Sequence, residues 1–179
     1  MSQWSDLAEE LVVKRYTALV GYASLLTGGV SEAEDLVQDA LVATFGRPRR
    51  FPSIGHAEAY ARRTIASRFV DSRRKLTLRR RRDPVAAPPE ASPAKGNTID
   101  LRVDLDRVLL QLPPRQRACL VLRFLADQST ADVAQTLGIS EGSVKRYVSD
   151  GIAAMGDRLD EEWKETVEVQ ISKQTEARR

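Results

Sequence analysis

The chain has 179 residues, 42% apolar and 30% charged, a globular composition sufficient for one ordinary domain or two small ones. One cysteine, Cys119, and one histidine, His56, exclude a disulfide framework and leave too few soft ligands for a zinc site, so no metal or other cofactor is expected. No run approaches the ~20 uninterrupted apolar residues of a membrane span, and the start Met1-Ser2-Gln3-Trp4-Ser5-Asp6 lacks the pattern of a secretion signal, so a cytoplasmic location without membrane contact is expected.

Charge is distributed unevenly behind the net +3. Residues 1–46 carry seven acidic side chains against Lys14 and Arg15, a net −5, whereas residues 47–82 carry thirteen basic ones against Glu58 and Asp71, a net +11. Neighbouring blocks of opposite sign predict two surfaces with different partners, a polyanion for the basic block and a basic or neutral protein for the acidic one. Taken alone, Arg79 to Arg82 fit a solvated helix end equally well; the density and helical spacing of the whole block favour nucleic acid.

No run alternates apolar and polar residues long enough for a strand, and no internal repeat is present, so the fold class is all-α. From Trp4 onward, Leu7, Leu11, Val12, Leu19, Val20, Ala23 and Leu26 recur at helical spacing until Gly28-Gly29 stops them. Ser31 then opens Ser-Glu-Ala-Glu, a capping-box pattern with Glu34 reaching back. The following helix carries an apolar stripe of Ala33, Leu36, Val37, Ala40, Leu41 and Phe45 and an opposite face of Glu34, Asp35, Gln38 and Asp39. Favourable placement against the helix dipole accounts for Glu34 and Asp35 but poorly for Asp39. A loop from Arg47 to His56 leads into a long helix expected to bury Tyr60, Ala61, Thr64, Ile65 and Phe69 while presenting Arg62, Arg63, Arg68, Arg73, Arg74 and Lys75.

Residues 83–98 hold four of the eight prolines and little to bury, the composition of a semi-extended, flexible Pro/Ala-rich linker. Beyond it, Leu101, Leu105, Val108, Leu109 and Leu112 form an amphipathic helix ended by Pro113-Pro114, which starts the next helix with Val121, Leu122 and Leu125. Cys119 falls in an apolar segment and is expected to be a buried thiol. Ser129 then caps a short helix with Val133, Ala134 and Leu137, Gly138 supplies a left-handed turn, and Ser140 caps a longer helix with Val144, Val148, Ile152, Met155 and Leu159. Ala134, Gly138 and Val144 at this spacing allow close helix crossing, a tight turn and a locked second helix, the requirements of a helix-turn-helix; helical hairpins that bind no DNA share the spacing. The outward positions of the longer helix are Glu141, Ser143, Lys145, Arg146, Ser149 and Asp150, polar groups able to meet base edges and phosphates but nearly neutral in sum. Such a weak footprint implies that this half needs a tethered partner to reach useful affinity.

Three stretches together resemble the bacterial RNA polymerase sigma factors. Ala33-Glu34-Asp35-Leu36-Val37-Gln38-Asp39 is similar to their core-binding helix; Tyr60-Ala61-Arg62-Arg63-Thr64-Ile65 through Arg73-Arg74-Lys75 sits where they read the −10 element; Leu112-Pro113-Pro114-Arg115-Gln116-Arg117, followed by Leu137-Gly138-Ile139-Ser140-Glu141-Gly142-Ser143-Val144-Lys145, is similar to their promoter-reading C-terminal domain. The short length resembles the two-domain extracytoplasmic-function group, which keeps regions 2 and 4. The resemblance implies a non-enzyme with region 2 over 1–82, a linker over 83–98, region 4 over 99–160 and a tail over 161–179. It implies that Glu34, Asp35, Gln38 and Asp39 bind core polymerase at its β′ clamp, with the β flap as a second contact. Arg49, Arg50, Phe51, Arg62, Arg63, Arg68, Arg73 and Arg74 would bind the −10 element and help open the duplex, with Phe51 a candidate platform for a flipped base. Ser140, Glu141, Ser143, Lys145, Arg146 and Ser149 would bind the −35 element. An anti-sigma factor is a further implied partner.

Other roles stay open for some of these residues. Phe51 equally suits packing at a helix entry, and His56 is better read as a helix-entry polar residue than as a ligand. Ser67 stands where the family often has asparagine, and Asp150 where it usually has a base, so contacts there are expected to differ. Trp163, Val167 and Ile171 are spaced for a docking helix, and a frayed solvated end accommodates them as well. The alternative function is a stand-alone helix-turn-helix regulator on duplex operator DNA. A nuclease or hydrolase lacks any clustered base, nucleophile and metal carboxylates.

Overall fold

The computed structural model describes residues 3–46, 49–82 and 101–176. The 83–98 linker expectation lies outside them. Seven α-helices follow in order, and no strand occurs among the described residues: α1 (Gln3–Thr27), α2 (Val30–Phe45), α3 (Ile54–Arg82), α4 (Leu101–Leu110), α5 (Pro114–Leu120), α6 (Thr130–Leu137) and α7 (Glu141–Glu176).

Helices α1, α2 and α3 form an up-and-down bundle. Leu11, Leu19, Ala23 and Leu26 of α1 meet Ala33, Val37 and Ala40 of α2 and Ala57, Ala61, Ile65 and Phe69 of α3, all fully buried. The alanines let the axes approach closely, and the large side chains fill the space between them. Gly28, at φ 84°, turns the chain out of α1 by the left-handed route that glycine alone takes without strain. That turn places Gly29 at the N-cap of α2, so Ser31 falls inside the helix and the expected Ser31–Glu34 capping box does not form. Thr27 Oγ1 instead donates to the Gly29 carbonyl at 3.0 Å. Val12, expected in the buried stripe, is 44% exposed.

The second half packs Val108, Leu112, Ala118, Leu122, Val133, Ala134 and Val144 into its interior. Pro114 occupies the first turn of α5, as expected. Beyond Leu120 the chain widens into one π turn, Val121–Leu125, closed by Ala126 N–H on the Val121 carbonyl at 3.1 Å. The extra residue per turn rotates the face that follows, so Leu125 is 49% exposed beside Phe124 at 62%. Gly151 of α7 lies against Leu120; a β-carbon there would stand 2.9 Å from the Leu120 side chain, so glycine sets how closely α7 crosses α5. Ile152 is 51% exposed rather than part of the packed stripe, because the buried face of α7 passes through Gly151. Helix α7 runs without interruption past residue 160 to Glu176.

The two halves touch. Helices α5 and α6 pack on α3, and α4 and α5 on α1, so one hydrophobic core holds side chains from both.

Candidate protein and nucleic-acid interfaces

Helix α2 buries one stripe and leaves Glu34, Asp35, Gln38 and Asp39 exposed on the other, as two overlapping i, i+4 pairs, 34/38 and 35/39. Asp39 leans toward α3, with its carboxylate 3.8 Å from the Arg68 guanidinium. Glu34, Asp35 and Gln38 engage no other described side chain. Those three groups therefore stand unoccupied, and exposed Val42 and Ala43 extend the face with apolar surface.

The loop into α3 builds an aromatic step. Phe51 is half-buried, its ring 5.9 Å edge-on from Phe45 and 5.6 Å from Tyr60, so it packs between the end of α2 and the start of α3. The Arg49 guanidinium lies 4.3 Å over the Tyr60 ring, and Arg50 is exposed beside it. His56 Nδ1 and Ser53 Oγ lie 2.9 Å apart, a helix-entry role consistent with its position.

Along α3 the arginines divide. Arg63 and Arg74 are exposed. Arg73 is half-buried, donating to both carboxylate oxygens of Glu32 at 2.9 and 2.8 Å and lying 5.3 Å over Phe69. Arg62, expected to be presented, is half-buried instead: it donates to Glu58 Oε1 at 3.1 and 2.7 Å, to the Leu125 carbonyl at 3.3 Å, and covers the Tyr22 ring at 5.1 Å. Burial raises the Tyr22 hydroxyl well above its ordinary range, with Arg62 pulling the other way. Ser67 and Arg68 line an open cleft of about 770 Å³ between α2, α3 and α6.

The helix-turn-helix forms as its spacing predicts. Ser129 Oγ accepts from Asp132 N–H at 3.1 Å while the Asp132 carboxylate accepts in return, a complete capping box on α6. The Ser129 side-chain bond, then its backbone bond, hold the Asp132 carboxyl below its usual value. Gly138 closes α6 at φ 62°, and Ile139 N–H reaches back to the Ala134 carbonyl at 3.0 Å. Ser140 Oγ caps α7 through Ser143 N–H at 3.1 Å and pairs with the Ser143 hydroxyl at 2.9 Å. Glu141, Lys145, Arg146, Ser149 and Asp150 are exposed and Ser143 is half-buried.

Two functional candidates lay outside the sequence expectations. Tyr147 is half-buried on α7; a hydrogen bond from Arg115 is the largest influence lowering its hydroxyl pKa, and Arg146 lies 5.3 Å over its ring. Arg115 and Arg146 thus form a cationic pair from two helices, foreshadowed only by Pro114 placing Arg115 in an exposed first turn. Arg117, equally unforeseen, is buried and donates to the carbonyls of Leu26, Leu110 and Leu112. Cys119 is buried, and burial pushes its thiol up to about 11. Among the described residues no His, Cys, Asp and Glu cluster could hold a metal, and no helix is long and apolar enough to cross a membrane.

The model of sigma-70 region 2 matches residues 11–79, and that of sigma-70 region 4 matches residues 102–155. The RNA polymerase sigma-E factor of Streptomyces avermitilis is 32% identical over 157 residues, covering 85% of this chain and 84% of that protein. The chain belongs to the extracytoplasmic-function family of RNA polymerase sigma factors. The SigL sigma factor of Mycobacterium tuberculosis is 29% identical over 144 residues, 78% of this chain and 81% of that one. In solved structures, the sigma factor RpoE of Bartonella quintana, crystallised with the anti-sigma factor NepR, superposes with a TM-score of 0.63 at 24% identity, over 87% of this chain and 97% of that one; this likeness shows the fold. In this sigma factor the region 2 match falls on α1–α3 and the region 4 match on α4–α7, with the helix-turn-helix inside it.

Proposed function

We propose that this sigma factor recruits core RNA polymerase through the polar face of α2, with the β′ clamp meeting Glu34, Asp35, Gln38 and Asp39 and the β flap meeting the second half. The observation that carries this reading is the placement, beside the cationic face of α3, of exposed Glu34, Asp35 and Gln38 on α2 with no hydrogen bond or ion pair among the described residues, which gives one bundle two surfaces of opposite sign. Residues 1–82 act as the core- and −10-binding unit, 83–98 as the linker, 99–160 as the −35-binding unit and 161–179 as the tail.

On the −10 element, Arg49, Arg50, Arg63 and Arg74 meet phosphates from the exposed side, while Arg62, Arg68 and Arg73 do so once their present partners are exchanged. Phe51 supports the aromatic step from beneath, and Tyr60 with Arg49 offers the nearer stacking face. On the −35 element, Ser140 and Ser143 fix the first turn of α7, Glu141, Lys145, Arg146 and Ser149 face the groove, and Arg115 adds a phosphate contact beside Arg146. An anti-sigma factor fits the same surfaces. The protein acts in the cytoplasm and catalyses no reaction of its own. A stand-alone operator binder leaves the α2 face without a purpose and rests on a nearly neutral recognition helix.

Reconstituted transcription with purified core polymerase and a promoter fragment library tests the proposal. Promoter-specific transcripts that need both components are expected. Tight sequence-specific duplex binding without polymerase, and no transcript with it, would select the operator-binding reading.

A further inference from the structure

Resting on the sigma-factor reading, we propose that Tyr147 is a positioning residue for the −35 element: it holds Arg115 of α5 and Arg146 of α7 side by side as one preformed seat for a single phosphate of the duplex.

The close crossing of α5 and α7 lets the two helices share this seat. Gly151 stands one turn beyond Tyr147 on the same side of α7, and a β-carbon there would lie 2.9 Å from the Leu120 side chain and 3.7 Å from Cβ of Gln116. Gln116 directly follows Arg115, so glycine at 151 draws the first turn of α5 within a side chain's length of Tyr147. The Tyr147 ring is half-buried and packs against the core, so its hydroxyl sits on an anchored stem.

A phenol oxygen can accept as well as donate. At Tyr147 it accepts from two guanidinium groups, Arg115 with the greater effect and Arg146 with the lesser. The Arg146 guanidinium also lies 5.3 Å over the ring. Donors to one oxygen stand within about 6 Å of each other, a separation that the oxygens of one phosphate can bridge. Among the described residues neither arginine forms an ion pair, and Asp150, one turn beyond Arg146, makes none with it. Two like charges held together with no carboxylate between them repel, and a bridging anion relieves that repulsion.

Both arginines are exposed, and Arg146 lies on the outward face of the helix-turn-helix. Free arginines sample many rotamers, and ordering two of them during binding lowers affinity. The phenol orders them beforehand. This matters most for a recognition helix whose outward groups are nearly neutral in sum, since few phosphate contacts are available to it.

Tyr147→Phe keeps the ring and removes the oxygen. Holoenzyme reconstituted with the full chain is titrated onto a promoter duplex recovered by transcription from the fragment library, across a salt series. Tyr147→Phe should weaken binding about three- to tenfold with the parental log–log salt slope, because both cations remain. Arg115→Ala should weaken it comparably and lower the slope by about 0.9. In the double variant the two losses should not add, since Arg115 is the group the hydroxyl holds. On a duplex truncated just upstream of the −10 element, all three variants should match the parent. The melting temperature of Tyr147→Phe should stay within about 2 °C of the parent. Parental affinity of Tyr147→Phe on the full duplex, additive losses, or an equal loss on the truncated duplex overturns the proposal. A melting temperature that falls in step with affinity assigns the loss to folding and overturns it as well. If the parental holoenzyme forms no promoter complex, the sigma-factor reading falls and the proposal with it; a complex that forms and ignores Tyr147→Phe strikes the proposal alone.

Discussion

Arg62 of α3 donates to the carbonyl oxygen of Leu125, 3.3 Å away and 63 positions later in the chain. The same guanidinium is paired with Glu58, which also forms an ion pair with Arg15 of α1 at 3.4 Å. Arg62→Ala is therefore expected to lower stability by about 1 kcal/mol, since a partly buried carboxylate and a carbonyl each lose a donor while Arg15 keeps Glu58 partly paired. Urea denaturation, read by far-ultraviolet circular dichroism, checks this.

Arg74 holds a different position, exposed on α3 with no such partners to exchange. Arg74→Ala should leave stability within about 0.5 kcal/mol of the parent. It should also flatten the salt dependence of promoter binding by about 0.7–0.9 in log–log slope, the loss of one phosphate contact. Binding isotherms of the polymerase complex across a salt series measure it, and an unchanged slope would place Arg74 away from DNA.

Charge reversal on α2 isolates the polymerase contact. Asp35 and Gln38 are exposed and make no hydrogen bond or ion pair among the described residues, so Asp35→Arg with Gln38→Arg should leave the helical signal intact. Affinity for core polymerase should fall on the order of tenfold or more, about 1.4 kcal/mol. Size-exclusion co-elution or fluorescence anisotropy with core enzyme gives the answer.

The α6 capping box carries a pH signature. Hydrogen bonds from Ser129 lower the Asp132 carboxyl pKa in the folded state. A lowered carboxyl stabilises the fold above its unfolded value, near ~3.9, and that contribution is lost as pH falls through the folded value. Ser129→Ala should thus lower Tm at neutral pH, and the gap from the parent should shrink as the solution is acidified toward about pH 3. A gap that is constant with pH would assign the loss to the hydroxyl alone.

Gly138 tests the turn. At φ 62° and with nothing within 4 Å of an added β-carbon, its substitution meets strain but no clash. Gly138→Ala should cost about 1 kcal/mol, and Gly138→Asn less, because asparagine tolerates the left-handed region better. Thermal melts of the two variants separate backbone strain from crowding.

How far these features could be read from the residues alone varies with their range. The turn at Gly28, the Pro114 start, the Ser129 and Ser140 caps and the Gly138 reversal depend on residues a few positions apart, and each formed where expected. Ser31 failed as a cap because the left-handed turn at Gly28 began α2 two residues earlier than its side-chain pattern suggested. The exposed acids of α2 were legible because periodicity separates one face of a helix from the other. The partnering of the α3 arginines was not, since periodicity says which way a side chain leaves the helix and nothing of what stands there.

By itself, then, the sequence determined the helices, the caps at Ser129 and Ser140, the turns at Gly28 and Gly138, the helix-turn-helix spacing and the opposite charge of the first two blocks, because each follows from local geometry or from composition. Only the tertiary structure decided that Arg73 meets Glu32 across 41 positions, that Arg62 meets Leu125 across 63, and that Arg117 meets Leu26 across 91. Such pairings arise when packing brings distant segments together and a buried polar group must find a partner, a requirement the chain meets only once it is folded.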